Sequence, residues 1–445
     1  MFHYLASNIK AYLNAASNRH LKKSILNALP FWVGALLTGL VAVAYARLFG
    51  MAEAASIYLF KKLHWYFLLV TPATFVLAWY LVKRFAPFAR GSGIPQVSAA
   101  IALSNPKDYS RVNRLLSIRL AVTKIISSLT MALGGGVIGR EGPTIQISAS
   151  IFKAINERLP AWYPRVSRQN MIITGAAAGL ASAFNTPLGG IVFAIEELTT
   201  THFSYFKSAL LTGVILAGLT ALTLLGPYLY LGYPRLQGLH SGIVVGVVFV
   251  ALLSGAAAAV MGQAILWLTA RKKQLQRRIP EWIIVAFFGL LIAATAVLIN
   301  PDVLGSGKEL MMHGLFSADK DISWETPLLR FLGPVISFSS GAAGGVFAPA
   351  LSAGSSIGNL TAQLFHIGGS EANLLILAGM TAFLTGITRS PFTSAILVIE
   401  MTNSHSVIFY IMISALVASL IAKILARHPF YEHLKDQYLR EVEQD

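Results

Sequence analysis

Gly134-Gly135-Gly136-Val137-Ile138-Gly139-Arg140-Glu141-Gly142-Pro143-Thr144 is embedded in apolar sequence, residues 121–133 before it and 145–155 after it. A carboxylate and a guanidinium side by side at that depth are costly unless they meet partners or perform work. A glycine cluster ends a helix and lets backbone N–H groups approach a ligand closely. Pro143 suits the first turn of a new helix, where its missing N–H is not needed. The stretch therefore reads as a helix ending near Leu133, an unwound turn, and a helix starting near Pro143. The free N–H groups of such a start favour an anion. Glu141 stands where that anion would sit.

The surrounding composition makes this a membrane problem. Of 445 residues, 55% are hydrophobic and 12% charged, against about 25% charged in soluble domains. Residues 31–46, 64–82, 208–234 and 236–270 carry no Asp, Glu, Lys or Arg. A spanning helix needs about 20 apolar residues, and a β-barrel would show short alternating segments instead. The expected class is an all-α polytopic membrane protein. The formal net charge of +16 collects in short polar segments, such as residues 10–23 and Arg271-Lys272-Lys273-Gln274-Leu275-Gln276-Arg277-Arg278. That is the positive-inside pattern of cytoplasmic loops, so a nucleic-acid partner is not expected. With no cysteine, disulfide and thiolate chemistry is excluded. The N-terminus lacks the short apolar core of a secretory signal.

The chain repeats itself. Gly91-Ser92-Gly93 returns as Gly305-Ser306-Gly307, and Gly139 to Pro143 return as Gly345-Val346-Phe347-Ala348-Pro349. Gly175, Ala178, Leu180, Pro187, Ile195 and Glu196 return as Gly379, Ala382, Leu384, Pro391, Ile399 and Glu400. Three interrupted segments in the same order mark transporters with a substrate site between the halves, near the midplane. One membrane domain over 1–445 is expected: a cytoplasmic amphipathic helix over 1–30, repeats over about 31–227 and 241–426, and a short tail over 427–445.

Gly91-Ser92-Gly93-Ile94-Pro95, Gly139-Arg140-Glu141-Gly142-Pro143 and Gly345-Val346-Phe347-Ala348-Pro349 together resemble the three anion-site motifs of the CLC chloride channels and transporters. Tyr431, in His428-Pro429-Phe430-Tyr431, resembles that family's C-terminal pore tyrosine. The resemblance runs from about residue 31 to 434 and is of the prokaryotic type, without C-terminal regulatory domains. It implies two inverted repeats with broken, tilted helices, in a homodimer with one anion pathway per subunit. It also implies a chloride pathway lined by Ser92, Gly93, Ile94, Arg140, Gly142, Val346, Phe347 and Tyr431. Within that pathway the Ser92 and Tyr431 hydroxyls bound a central site lined by the N–H groups of Val346 and Phe347, and Glu141 is the gate that competes with the anion. Hydroxyls, N–H groups and half-helix dipoles suit a weakly held, mobile anion, where a lysine would hold it too tightly. Ser92 is the chloride-type residue where nitrate-preferring members carry proline. Gln96 replaces a frequent acidic residue and so removes a nearby ion pair. Glu197 resembles the internal proton-transfer glutamate of the exchangers, a position that is apolar in channels.

The repeat singles out the same carboxylates. Glu196 has a mate in Glu400, which favours a shared structural role. Glu197 pairs with Met401 and Glu141 with Phe347. A scaffold requirement acts on both halves, so one-sided carboxylates lean functional.

Other motifs fail on context. Gly134-x-Gly136-x-x-Gly139 spells a dinucleotide fingerprint but lacks a preceding strand. Gly305-Ser306-Gly307-Lys308 lacks the first glycine and the final Ser or Thr of a phosphate loop. His240 and His313 have no metal-ligand company, and no metal or cofactor is expected. Arg140 reads as raising the local positive potential. Three functions remain: exchange of chloride for protons, a passive CLC-type chloride channel, or an intramembrane enzyme using Glu141 and Glu197, the last without a nucleophile. Chloride and protons are the expected ligands. The expected setting is the bilayer of a bacterial inner membrane, with both termini cytoplasmic.

Overall fold

The computed structural model describes residues 19–199, 207–226 and 229–444, helical almost throughout and without a strand among them. In the first half the main helices are α1 (Arg19–Leu63), α2 (Phe67–Phe85), α3 (Ile94–Ala102), α4 (Tyr109–Leu115), α5 (Ile118–Leu133), α6 (Glu141–Glu157), α7 (Arg168–Phe184), α8 (Pro187–Phe193) and α9 (Lys207–Leu225). The second half holds α10 (Ile243–Leu275), α11 (Glu281–Leu298), α12 (Lys308–Phe316), α13 (Thr326–Ser339), α14 (Phe347–Leu364), α15 (Gly369–Thr388), α16 (Pro391–Thr402) and α17 (Ile408–Leu425), with α18 (Phe430–Gln444) as the tail.

Among the described residues, 7 helical segments are long and apolar enough to cross a membrane. Large apolar side chains such as Leu69, Val245, Phe409, Leu420 and Ile424 lie exposed on their outer faces. In water such a belt would drive association; in a bilayer it meets acyl chains. The protein is an integral membrane protein.

The packing is that of a repeat. α6 lies along α7 as α14 lies along α15, and α1 packs on α9 as α10 packs on α17. Equivalent elements meet at the centre. Gly139 N–H donates to Gly345 O at 2.7 Å and Gly345 N–H donates back to Gly139 O at 2.8 Å, antiparallel. α8 and α16 also meet each other, each ending in a glutamate that caps the other's start. Glu196 accepts from the N–H groups of Phe392 and Thr393 at 3.2 and 2.7 Å and from Thr393 Oγ1 at 2.7 Å. Glu400 accepts from the N–H groups of Leu188 and Gly189 at 3.1 and 2.8 Å. End-to-start contact in both directions makes the two helices antiparallel, so the halves are inverted. It also gives Glu196 the shared structural role its mate implied.

One local reading holds and two are corrected. α6 begins at Glu141 with Pro143 in its first turn, where the positions need no intrahelical N–H. Residues 1–18 of the expected separate helix over 1–30 lie outside the described residues, while Arg19 to Pro30 are the opening turns of α1. Pro30 does not break that helix. The carbonyl its missing N–H leaves free, Leu26 O, accepts from Tyr163 Oη at 2.5 Å instead. Finally, the apolar run before the glycine stretch contains Lys124, fully buried in α5.

Candidate anion pathway and its carboxylates

Three broken-helix starts converge. At Gly91-Ser92-Gly93 both glycines are left-handed, with φ of 63° and 109°. The turn delivers Ser92 to the first turn of α6, where a Cβ on Gly142 would fall 2.2 Å from Ser92 Oγ. Only glycine fits there, so the backbone of the α6 start lies directly against the Ser92 hydroxyl. Ile94 follows, fully buried, as the first residue of α3. From the other half, Val346 and Phe347 open α14, both buried. The Phe347 ring lies between Phe184, at 6.5 Å, and Tyr431, at 6.4 Å between centroids.

The hydroxyls of Ser92 and Tyr431 are neighbours close enough to interact with each other, and both are buried without a hydrogen bond of ordinary length and angle. Buried polar atoms are otherwise almost always paired. Two orphan hydroxyls aimed into one spot beside the starts of α6 and α14 form a site for something that accepts hydrogen bonds.

Glu141 closes one side. It is 1% exposed, and its Oε2 has no hydrogen-bond partner. The carboxyl folds over Gly139 against the first turn of α14. A Cβ on Gly139 would meet Oε2 at 2.4 Å and Ala348 N at 3.2 Å. Beyond it opens a vestibule of about 190 Å³ bordered by Arg47, Glu53, Arg140, Glu141 and Lys308. Arg140 thus joins two further cations, Arg47 and Lys308, on that wall.

Glu197 lies on the other side, in a widened π-type turn, Ala194–Leu198, that extends α8. Such turns re-aim side chains out of helical register, and here the turn separates the neighbours. Glu196 points to the start of α16, while Glu197 Oε2 accepts from Ser390 Oγ at 2.5 Å. Glu197 borders two spaces. One is a slit too narrow for a water-sized sphere, shared with Phe347, Ser390 and Tyr431. The other is an open cavity of about 990 Å³ whose wall includes Arg165, Arg168 and Lys435. Ser390, which holds Glu197, was not foreseen. Its signal was its place before Pro391, matching Thr186 before Pro187.

Lys124 Nζ bonds Ala89 O at 3.0 Å and Gln146 Oε1 at 2.5 Å and meets no carboxylate, while Gln96 itself bonds Phe88 O and Arg90 O. Lys124 braces the turn before Ser92 from behind and does not reach the site. The tail helix that carries Tyr431 is moored to the same turn. Glu441 pairs with Arg90 and with Lys273, the latter at 3.3 Å, and the Arg90 guanidinium lies 4.9 Å over the Tyr438 ring. Against the desolvation of its half-buried position, Arg90 holds the Glu441 carboxyl below the usual carboxylate range. Of the decoys, His240 is a loop residue paired with Glu371 at 3.0 Å.

Comparison with known proteins places this geometry. A family model described as voltage gated chloride channel matches residues 74–423. The H(+)/Cl(-) exchange transporter ClcA of Klebsiella pneumoniae subsp. pneumoniae is 30% identical over 434 residues, covering 92% of this chain and 88% of that protein. The protein of the same name from Salmonella agona is 31% identical over 422 residues, covering 89% and 85%. Among solved structures, a slow cyanobacterial Cl-/H+ antiporter superposes with a TM-score of 0.81 at 25% identity, covering 94% of this chain and 98% of that one. A CLC-type fluoride/proton antiporter shares the fold, with a TM-score of 0.76 at 21% identity over 94% of this chain and 100% of that one.

Proposed function

The chain belongs to the voltage gated chloride channel family, the CLC proteins, and on that premise we propose that it exchanges chloride for protons across the membrane. The observation that carries the reading is the placement of Glu141 and Glu197. Neither has a carboxylate mate in the other repeat; Glu141 borders the vestibule, and Glu197 borders both the slit beside Tyr431 and the large cavity. The printed names of the ClcA relatives and of the cyanobacterial antiporter, which specify exchange, support it.

In this reading chloride sits where Ser92 Oγ, Tyr431 Oη and the first turn of α14 converge, with Gly93, Ile94 and Gly142 shaping the backbone around it. Hydroxyl and N–H donors bind it without a full countercharge, so it can leave. Glu141 occupies the neighbouring anion position. The α6 and α14 starts favour its charged form, while burial and an adjacent chloride favour its neutral form. Its protonation therefore tracks chloride occupancy, and that competition is the coupling step. Glu197 takes protons from the large cavity and passes them along the slit beside Tyr431. The protein works as a homodimer in a bacterial inner membrane, both termini in the cytoplasm, needs no cofactor and catalyses no covalent chemistry.

The test is purified protein in liposomes under a chloride gradient, with both fluxes recorded. Uphill proton movement is the expected result. Chloride flux without protons would make the protein a passive channel and refute the role of Glu197. Running nitrate and fluoride in parallel reads the selectivity implied by Ser92.

A further inference from the structure

The repeat supplies one motif that transport leaves unused, Gly305-Ser306-Gly307. In the structure it is a backbone copy of Gly91-Ser92-Gly93. Its glycines are left-handed, at 66° and 85°, like those around Ser92, and each turn opens a helix of 9 residues, α3 and α12. Each first glycine hooks the opposite half through its N–H, Gly91 to Ala342 O at 2.9 Å and Gly305 to Gly135 O at 3.2 Å. Each turn is braced by a buried cation bonded to carbonyls at its base. Lys124 holds Ala89 O in the first, and Arg330 holds Leu304 O and Gly305 O, at 3.0 and 2.9 Å, in the second.

The two copies differ in their occupant. In the first, the Ser92 hydroxyl is buried and has no partner. In the second a carboxylate is already in place. Glu53, reaching over from α1, accepts the Ser306 N–H at 2.7 Å, and a Cβ on Gly305 would lie 3.1 Å from the same oxygen. Behind it is a cavity of about 420 Å³. Two buried atoms from residues of that wall, Ser56 Oγ and Arg330 Nε, have no hydrogen-bond partner. The wall carries Lys61, Lys308 and Arg330 against Glu53, Asp302 and Glu309. Without Glu53 the balance becomes positive, beside an exposed N–H and orphan donors.

We propose that Gly305-Ser306-Gly307 is a second anion-binding turn, kept closed by Glu53 as a tethered anion, and that the free ligand it takes is a small monovalent anion such as chloride. The proposal rests on the reading of Ser92 as a chloride contact, since it argues that the copied turn inherited the same chemistry. Glu53 also borders the vestibule of Glu141, so opening the turn places an added anion next to the gate.

The experiment is anomalous diffraction from bromide-grown crystals of the full chain, wild type and Glu53→Ala. The expected result is a bromide peak within hydrogen-bond distance of Ser306 N in the variant and none there in the wild type. An empty turn in Glu53→Ala overturns the proposal. A bromide already bound there in the wild type overturns the closure by Glu53. The peak beside Ser92 and Tyr431 in the same crystals scores the transport reading separately. Alanine is a good helix former at this position of α1; should that variant fold poorly, Glu53→Ser removes the same carboxylate and carries the same expectations. Calorimetry in detergent is the solution counterpart, with one more chloride site per chain expected in the variant.

Discussion

Glu196 and Glu197 are adjacent in sequence and should fail in opposite ways. Glu196→Ala removes the acceptor of three hydrogen bonds at the start of α16. A charge-assisted bond contributes about 1.5–3 kcal/mol when shielded. The Phe392 bond is exposed and is counted as nothing. The two bonds from Thr393, at 2.7 Å and part-buried, remain. Water recovers some of each, and the carboxylate's favourable interaction with the helix start adds about 0.3–1 kcal/mol. The expected loss is about 3 kcal/mol, read by equilibrium unfolding in mixed micelles. Glu400→Ala should lose somewhat less, having two bonds, and the two losses should add, because the caps lie at opposite ends of the α8–α16 pair. Glu196→Ala that still folds should keep its proton coupling. Glu197→Ala, whose carboxylate accepts one bond, from Ser390, should lose coupling at a smaller stability cost than Glu196→Ala, about 1.5 kcal/mol once water recovers part of that bond. Stability unchanged in Glu196→Ala, or coupling lost in it while Glu197→Ala couples normally, would refute the division of labour.

Glu141→Gln removes both the charge and the proton carrier; chloride should pass without protons and with a flat pH profile, measured as paired fluxes in liposomes. Glu197→Gln should stop proton movement while part of the chloride flux survives with its pH dependence, since the gate still titrates; a flat profile in that mutant counts against Glu141 as the gate. Ser92→Pro deletes a hydroxyl donor to a charged ligand, about 1.5–3 kcal/mol, so chloride affinity by calorimetry should fall about tenfold or more and preference should move toward nitrate; equal relative fluxes would remove Ser92 from the selectivity contacts. Glu441, held low by Arg90, contributes stability that is fully present above its unfolded value near pH 4.3 and is lost as pH falls through its lower folded value. Glu441→Gln should therefore flatten the acid limb of the unfolding curve and leave the curve above about pH 5 parallel to wild type; an unchanged acid limb would show that the Arg90 pair does not moor α18.

Periodicity and glycine spacing made much of this fold legible. Each glycine break that the sequence marked is a real helix end, because left-handed φ at Gly91, Gly93, Gly305 and Gly307 is a local property that side-chain type reveals. Symmetry carried Glu196 correctly as well, since a cap needed twice appears twice. What stayed hidden were contacts between distant segments. Glu53 and Ser306 are far apart in the chain, and nothing local to Glu53 announces an acceptor for a turn. Lys124 lies within an apolar run, and only the fold brings Ala89 and Gln146 to it. The long α1 runs past the boundary expected at residue 30, and the hydroxyl of Tyr163 that takes up the carbonyl freed by Pro30 comes from the segment between α6 and α7.

The paired N–H···O bonds between Gly139 and Gly345 bear on how such a molecule can move. They join the start of the Glu141 helix to the start of the Phe347 helix. With the reciprocal caps of α8 and α16, they clasp the halves at the very place where a rocking-bundle transporter would need its slip plane. Shearing one half against the other would strip these bonds in a dry interior, where each exposed amide is costly. On the proposed exchange reading, access would alternate within the pathway itself, at Glu141 and at the slit beside Tyr431, with the clasp between the halves left intact.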